Sequence, residues 1–162
     1  MITAIIIGKE GVVTTFRQLP LKASDALYRT LTRLAIQLTR HIKEDKLSGQ
    51  VLRNRTGTLR RSINYRVVGT STLITAFVGT NLDYARIHEY GGTTKPHVIE
   101  PKNAQALHFL MNGKDCFFKR VNHPGSRMPE RSFLRSALTD LREEFIQEIT
   151  GTMRKVVKHD QP

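Results

Sequence analysis

Six histidines, one cysteine and fourteen carboxylates are the side chains that could do chemistry in this 162-residue chain. The nearest thing to a catalytic set is His88-Glu89 together with His97 and His123, imidazoles and a carboxylate that could hold a divalent metal in a nuclease. The spacing argues against it. His88 has no second histidine four residues on, so the two-histidine helical zinc pattern is absent. Cys116 is the only cysteine, which leaves no thiolate pair for a metal and no intrachain disulfide. Gly91-Gly92 is not followed by Gly-Lys-Ser/Thr, and no Gly-x-Ser-x-Gly elbow occurs. Histidines in loops, where these three are expected, read as polar surface. The expectation is a protein with no catalytic residue, no cofactor and no metal.

Charge offers a second kind of chemistry. The net charge is +12, which attracts polyanions and acidic protein surfaces alike. It is concentrated in residues 40–66, where Arg40, Lys43, Lys46, Arg53, Arg55, Arg60, Arg61 and Arg66 face only Glu44 and Asp45, a net +6. Residues 139–158 balance to zero. Tyr84, Tyr90 and Phe118 could stack on bases, as in single-strand binders, but core packing is the simpler expectation for them. No recognition helix or zinc module accompanies the charge. A basic nucleic-acid-binding protein acting alone is the alternative reading, with a metal-dependent nuclease behind it.

The size fits one domain. No apolar run approaches the ~20 residues of a membrane span, and residues 1–7 lack the positive start of a signal peptide. A lone cysteine fits a reducing cytosol.

The elements that must position these groups begin with an N-terminal strand region, 1–20. Residues 2–7 read as a strand, 8–11 as a turn, and 12–18 as either a strand or a short helix. Residues 21–47 read as a helix whose buried stripe is Leu27, Leu31, Leu34, Leu38 and Ile42, starting at Pro20 or Ser24 and ended by Ser48-Gly49-Gln50. The central stretch is 55–92. After the turn Thr56-Gly57-Thr58, alternation from Leu59 puts Ile63, Tyr65 and Val67 on one side and Arg60, Ser62, Asn64 and Arg66 on the other, predicting a half-buried strand. A turn at 69–72 leads to an interior strand over 73–78, so the two make an antiparallel hairpin. Residues 83–90 fit one or two helical turns, stopped by Gly91-Gly92.

Residues 93–128 form an insert. Residues 97–100 are a short extended piece, and 106–111 and 116–121 are strands flanking Asn112-Gly113, a hairpin turn signal. Leu107, Phe109 and Phe117 are expected in the core. Residues 129–157 read as a second long helix, opened by Pro129 and Glu130. Its stripe is Leu134, Leu138, Leu141, Phe145, Ile149 and Met153, widened by Phe133, Ala137 and Ile146; the tail after Lys158 frays. The predicted fold is α+β: an antiparallel sheet covered on one face by two long amphipathic helices, with a flexible inserted loop and hairpin.

Four segments in order carry a resemblance. They are Thr56-Gly57-Thr58-Leu59-Arg60-Arg61-Ser62-Ile63, Val78-Gly79-Thr80, Tyr84-Ala85-Arg86-Ile87-His88-Glu89-Tyr90-Gly91 and Pro129-Glu130-Arg131-Ser132-Phe133-Leu134. With the long helix before them, they resemble the tail-component family of long-tailed bacteriophages, the neck or tail-completion proteins. Ser132 stands where many relatives have proline, and Tyr90 where phenylalanine is common. The long insert is more similar to the virion-morphogenesis branch of contractile-tailed phages.

The resemblance implies a structural virion protein, assembled as a ring of six copies at the head–tail joint around the DNA channel, made in the host cytoplasm and ending in the virion. It implies as partners further copies of the chain, a head-connector or stopper ring, a tail-terminator or tail-tube ring, and DNA passing without sequence-specific contact; no membrane is involved. The interface residues it suggests are Arg55, Thr56, Gly57, Leu59, Arg60, Tyr84, Glu89, Gly91, Arg131 and Phe133. Glu89 is the expected ion-pair partner of Arg55 or Arg60, in its own chain or a neighbour, and the arm 91–105 is expected to reach an adjacent ring or subunit.

Overall fold

The computed structural model describes residues 3–6, 12–15, 21–53, 55–70 and 73–159. The turn expected at 8–11, Pro20 as a helix start, Ser71-Thr72 of the hairpin turn and the tail beyond His159 lie outside these residues. The fold is α+β. A four-stranded antiparallel sheet runs in the order β1-β2-β4-β3, with β1 at Thr3–Ile6, β2 at Val12–Thr15, β3 at Asn64–Gly69 and β4 at Leu73–Gly79. Within residues 12–18, the described part is therefore strand.

Helix α1 (Leu21–His41) lies along β3 and β4. Leucines three and four apart make one apolar stripe, and Leu27, Leu31, Leu34, Leu38 and Ile42 are all buried, as expected. Leu27, Leu31 and Ala35 meet Ile74 and Ala76 of β4 in one cluster. The helix ends within Ser48-Gly49-Gln50, as expected, after a change of pitch. Wider π-helical turns continue over Ile42–Gln50, Gly49 turns the chain out at φ 136°, and Val51 and Leu52 N–H close back onto the Lys46 carbonyl.

The predicted strand does not start at Leu59. Thr58–Ser62 is a short helix, α2, begun by Gly57 at φ 75°, and only Asn64 onward is strand. Leu59 and Ile63 are four residues apart, a spacing that satisfies a helical turn as well as it suggests alternation. Ile63 is fully buried and Leu59 packs against the same cluster, whereas Tyr65 is 42 % exposed.

Helix α4 (Leu134–His159) packs antiparallel on α1. A polar seam runs between them: Thr30 with Thr152, Arg33 with Glu148, Gln37 with Glu144 and His41 with Asp140. Phe133 and Ala137 are fully buried and Phe145 nearly so, but Ile146, expected in the stripe, is 47 % exposed. The helix also begins later than Pro129, because residues 129–132 make other bonds, described below.

The insert is not a loop. Gly92–Thr93 (β5) pairs with Arg127–Met128 (β10), and His97–Ile99 (β6) pairs with Val121–His123 (β9). Leu107–Met111 (β7) pairs with Lys114–Phe118 (β8) around Asn112 (φ 51°) and Gly113 (φ 76°). The three pairings nest into one antiparallel arm, with a register slip where residues 100–106 face residues 119–120. Phe117, expected in the core, is 67 % exposed, and Leu107 and Phe109 belong to neither core cluster.

Candidate functional site: a carboxylate clasp at the root of the arm

Helix α3 (Ala85–Tyr90) carries Glu89, which is 3 % exposed. A buried carboxylate is costly unless its oxygens are filled, and these are. Phe133 N–H (2.8 Å) and Leu134 N–H (2.9 Å) donate to Oε2. Ser132 Oγ (2.7 Å), Arg135 N–H (3.0 Å) and Arg135 Nε (3.2 Å) donate to Oε1. Ser136 N–H bonds Ser132 Oγ at 3.3 Å.

The first N–H groups of a helix have no intrahelical acceptor and carry the positive end of its dipole. The first turn of α4 contains no acidic residue. Glu89 supplies from 44 residues away both the acceptor oxygens and the charge that a local capping residue would give. That is why α4 starts where it does. Pro129 to Ser132 are held in another conformation, with Arg131 N–H on the His88 carbonyl at 2.8 Å.

Arg135 completes the clasp. Its Nη2 donates to the Glu89 carbonyl (2.9 Å) and to Glu130 (2.8 Å), and its guanidinium lies 4.6 Å from the centre of the Tyr90 ring. Burial works against its charge, but the Glu89 hydrogen bond and the Glu130 and Glu89 carboxylates outweigh it, so its pKa is raised. Gly91 follows at φ 70°, ψ −175°, a region essentially restricted to glycine. A Cβ there would sit 2.9 Å from Glu130 N and 3.1 Å from Met128 O. Both roots of the arm, Gly91-Gly92 and Met128-Pro129, thus meet at the clasp, which fixes the arm to the helices.

A second polar knot sits at the end of the α1–α4 seam nearer the clasp. Asp140 accepts from Lys46 Nζ (2.7 Å) and bonds His41 Nε2 (2.8 Å), while His41 Nδ1 meets Asp45 at 2.6 Å. The Lys46 and then the His41 hydrogen bonds hold Asp140 below the usual carboxylate range, against the burial that would raise it.

The structure brings together Glu89, Gly91, Arg131 and Phe133 from the expected interface residues. Glu89 is neither a surface carboxylate nor the partner of Arg55 or Arg60; its oxygens are occupied by α4. Phe133 is fully buried, so it anchors the core. Arg55, Thr56 and Arg60 are exposed, and Thr56 Oγ1 bonds Thr58 Oγ1 at 2.9 Å. Gly57 starts α2, Leu59 packs on the core, and Tyr84 is 45 % exposed with its ring edge-on to His88. Ser132 and Arg135 were not among the expected residues. No local signal marked them, because a helix read from Pro129 has Glu130 in its first turn, and only the observed start at Leu134 leaves that turn without an acidic residue.

The proposed nuclease set does not converge. Glu89 has no free oxygen to offer a metal, and His97 stacks on His123 within the arm at 5.0 Å between ring centres. Among the described residues no three His, Cys, Asp or Glu side chains gather as metal ligands. Tyr90 and Phe118 are 42 % and 41 % exposed rather than core, but Tyr90 lies under Arg135 and Phe118 stacks on Phe109. Arg53, Arg55, Arg60, Arg61 and Arg66 form no ion pair among the described residues, so the basic run around α2 is open charge. No helix among these residues is long and apolar enough to cross a membrane.

The phage virion morphogenesis family matches residues 31–158, from the second half of α1 to the end of α4. This chain belongs to that family, and is a structural, morphogenetic component of a phage virion. Comparison with curated proteins and with solved structures finds no match.

Proposed function

We propose that the chain is a tail-completion or neck protein, assembling as a ring of six copies at the head–tail junction around the DNA channel, without catalysis. The observation that carries this reading is the clasp. It joins the Tyr84–Gly91 and Pro129–Leu134 segments, which carry the resemblance to tail-completion proteins, and it does so at the root of an arm built for contact rather than for the core. The β3 edge adds support, since among the described residues no further strand pairs with it and an unpaired strand edge can take a partner. The unpaired arginines around α2 face acidic surfaces of neighbouring connector, stopper, terminator or tube rings. DNA is the less suitable counterpart for them, because tight phosphate contacts would hold a molecule that has to pass.

Electron microscopy of particles from a phage unable to make this protein tests the reading. DNA-filled heads beside unattached tails are expected, and supplying the chain in trans restores joining. Abnormal tail lengths would assign it to tail termination instead. Whole, tailed virions would overturn the reading and bring forward the rival, salt-sensitive DNA binding by the purified protein.

A further inference from the structure

A two-stranded ribbon is marginal at best in water unless something covers it. The β7–β8 ribbon at the end of the arm has no cover among the described residues. Its pairings are only with itself, and its neighbours along the arm are the equally thin β6–β9 and β5–β10 pairs. Directly opposed residues in an antiparallel pair share a face. One face therefore presents Leu107 with Phe118, Phe109 with Cys116, and Met111 with Lys114. Phe109 and Phe118 stack at 5.3 Å between ring centres, Met111 is 52 % exposed and Phe118 41 %. Only Lys114, at the turn, brings charge to that face. The other face holds Phe117 and Leu110, but also the polar His108–Asp115 pair, hydrogen-bonded at 2.6 Å. The first is a docking face, with almost nothing to desolvate.

The body has a matching surface. On β4, Ile74 and Ala76 point to α1, so Leu73 and Phe77 fall on the opposite face. Val68 of β3 lies beside them, opposite the buried Thr75. Leu73, Phe77 and Val68 are 38 %, 37 % and 40 % exposed. The charge beside them is Arg66, whose guanidinium lies over the Phe77 ring at 5.6 Å. No described helix covers this face.

We propose that the β7–β8 ribbon of one subunit lies, by its Phe109–Phe118 face, across the Val68–Leu73–Phe77 face of a second copy of this chain. The inference rests on the ring reading above and names the contact that would close the ring. Two features favour a second copy over a foreign partner. Each chain carries both halves, an apolar ribbon and an apolar sheet face. The arm reaches far enough: residues 113–128 span up to about 50 Å at ~3.3 Å per residue, against a radius of gyration of about 14 Å for a body of its size. Patches of a few hundred Å² mark contact sites, but a stable pair needs about 800 Å² per partner. One arm contact holds a pair weakly, whereas in a closed ring every subunit both gives and receives one. Repeated head-to-tail with a rotation that closes, such a contact makes a ring.

Cys116, the only cysteine, stands on the docking ribbon and serves as the reporter. Full-length Phe77→Cys, with Val68→Cys as a second variant should the first misfold, is treated with a short bismaleimide, both purified and within phage particles. Covalent multimers are expected well above those from Glu143→Cys, which places the thiol on an exposed α4 position away from the sheet, and they disappear when Cys116→Ser is added. Multimers at the Glu143→Cys level in both preparations overturn the docking. Mass photometry of the same samples separates the two claims. Rings without cross-links overturn the arm contact and leave the ring intact, while no rings, together with intact virions from phage lacking the protein, overturn both.

Discussion

The helical body and the β arm use apolar residues in opposite ways. In the body, Leu27, Ile42, Ile63 and Phe133 are sealed between α1, α4 and the sheet. In the arm, Met111 and Phe118 are 52 % and 41 % exposed on a ribbon that pairs with little but itself. The body's side chains hold one chain in shape. Those of the arm gain most when another surface arrives. The Glu89 clasp lies on the border, using body chemistry, a buried and fully bonded carboxylate, to hold the arm's roots.

If this division holds, the largest stability losses come from the border and the core. Glu89→Ala strips the N–H groups of Phe133, Leu134 and Arg135 of their acceptor and leaves Arg135 without its buried partner. Leaving a buried donor without its acceptor costs about 1–3 kcal/mol per group, to be read by urea denaturation. Phe133→Ala empties a fully buried site and is expected to cost about 3–5 kcal/mol in the same measurement. Gly91→Ala comes next, at about 1–3 kcal/mol for the backbone conformation alone, plus whatever Glu130 and Met128 must yield. Its effect should extend to the arm, seen as faster amide exchange at β5 and β10 than at β4.

The seam gives a smaller, pH-dependent effect. The folded Asp140 carboxyl titrates below its ordinary value of 3.8. Its contribution is therefore complete above that value and lost as pH falls through the lower, folded value. Because the side chain is 43 % exposed, the effect is modest. Asp140→Asn should lower stability slightly at neutral pH, where the carboxylate's bonds to Lys46 and His41 are complete, and leave it unchanged below the folded value, so that the acid end of the stability–pH curve flattens. Smallest of all is Phe117→Ser at the arm tip, expected to change stability by no more than about 0.5 kcal/mol. A loss of several kcal/mol there would mean that the arm belongs to the core.

The same border divides what could be read from the sequence. The α1 stripe was legible because leucines at helical spacing need no partner to be recognised, and Asn112-Gly113 announced its own turn. The β6–β9 pairing was not, because residues 97–99 meet 121–123 across a long stretch with no local signal. Glu89 was legible as part of a motif but not in its role, since the groups it caps lie more than forty residues away. The short helix at Thr58–Ser62 was hidden because Leu59 and Ile63 suit either period.

The division between body and arm is tested most directly by removing the arm. Thr93 and Arg127 are paired, so an Asn-Gly turn can join them in place of residues 94–126. The measurement is electron microscopy of particles from a phage lacking the native protein and supplied with this shortened chain, once thermal unfolding has shown the chain to be folded. The expected result is a cooperative transition close to that of the full-length protein, with heads and tails left unjoined. Normally joined virions, or a shortened chain that does not fold, would contradict the assignment of folding to the body and assembly to the arm.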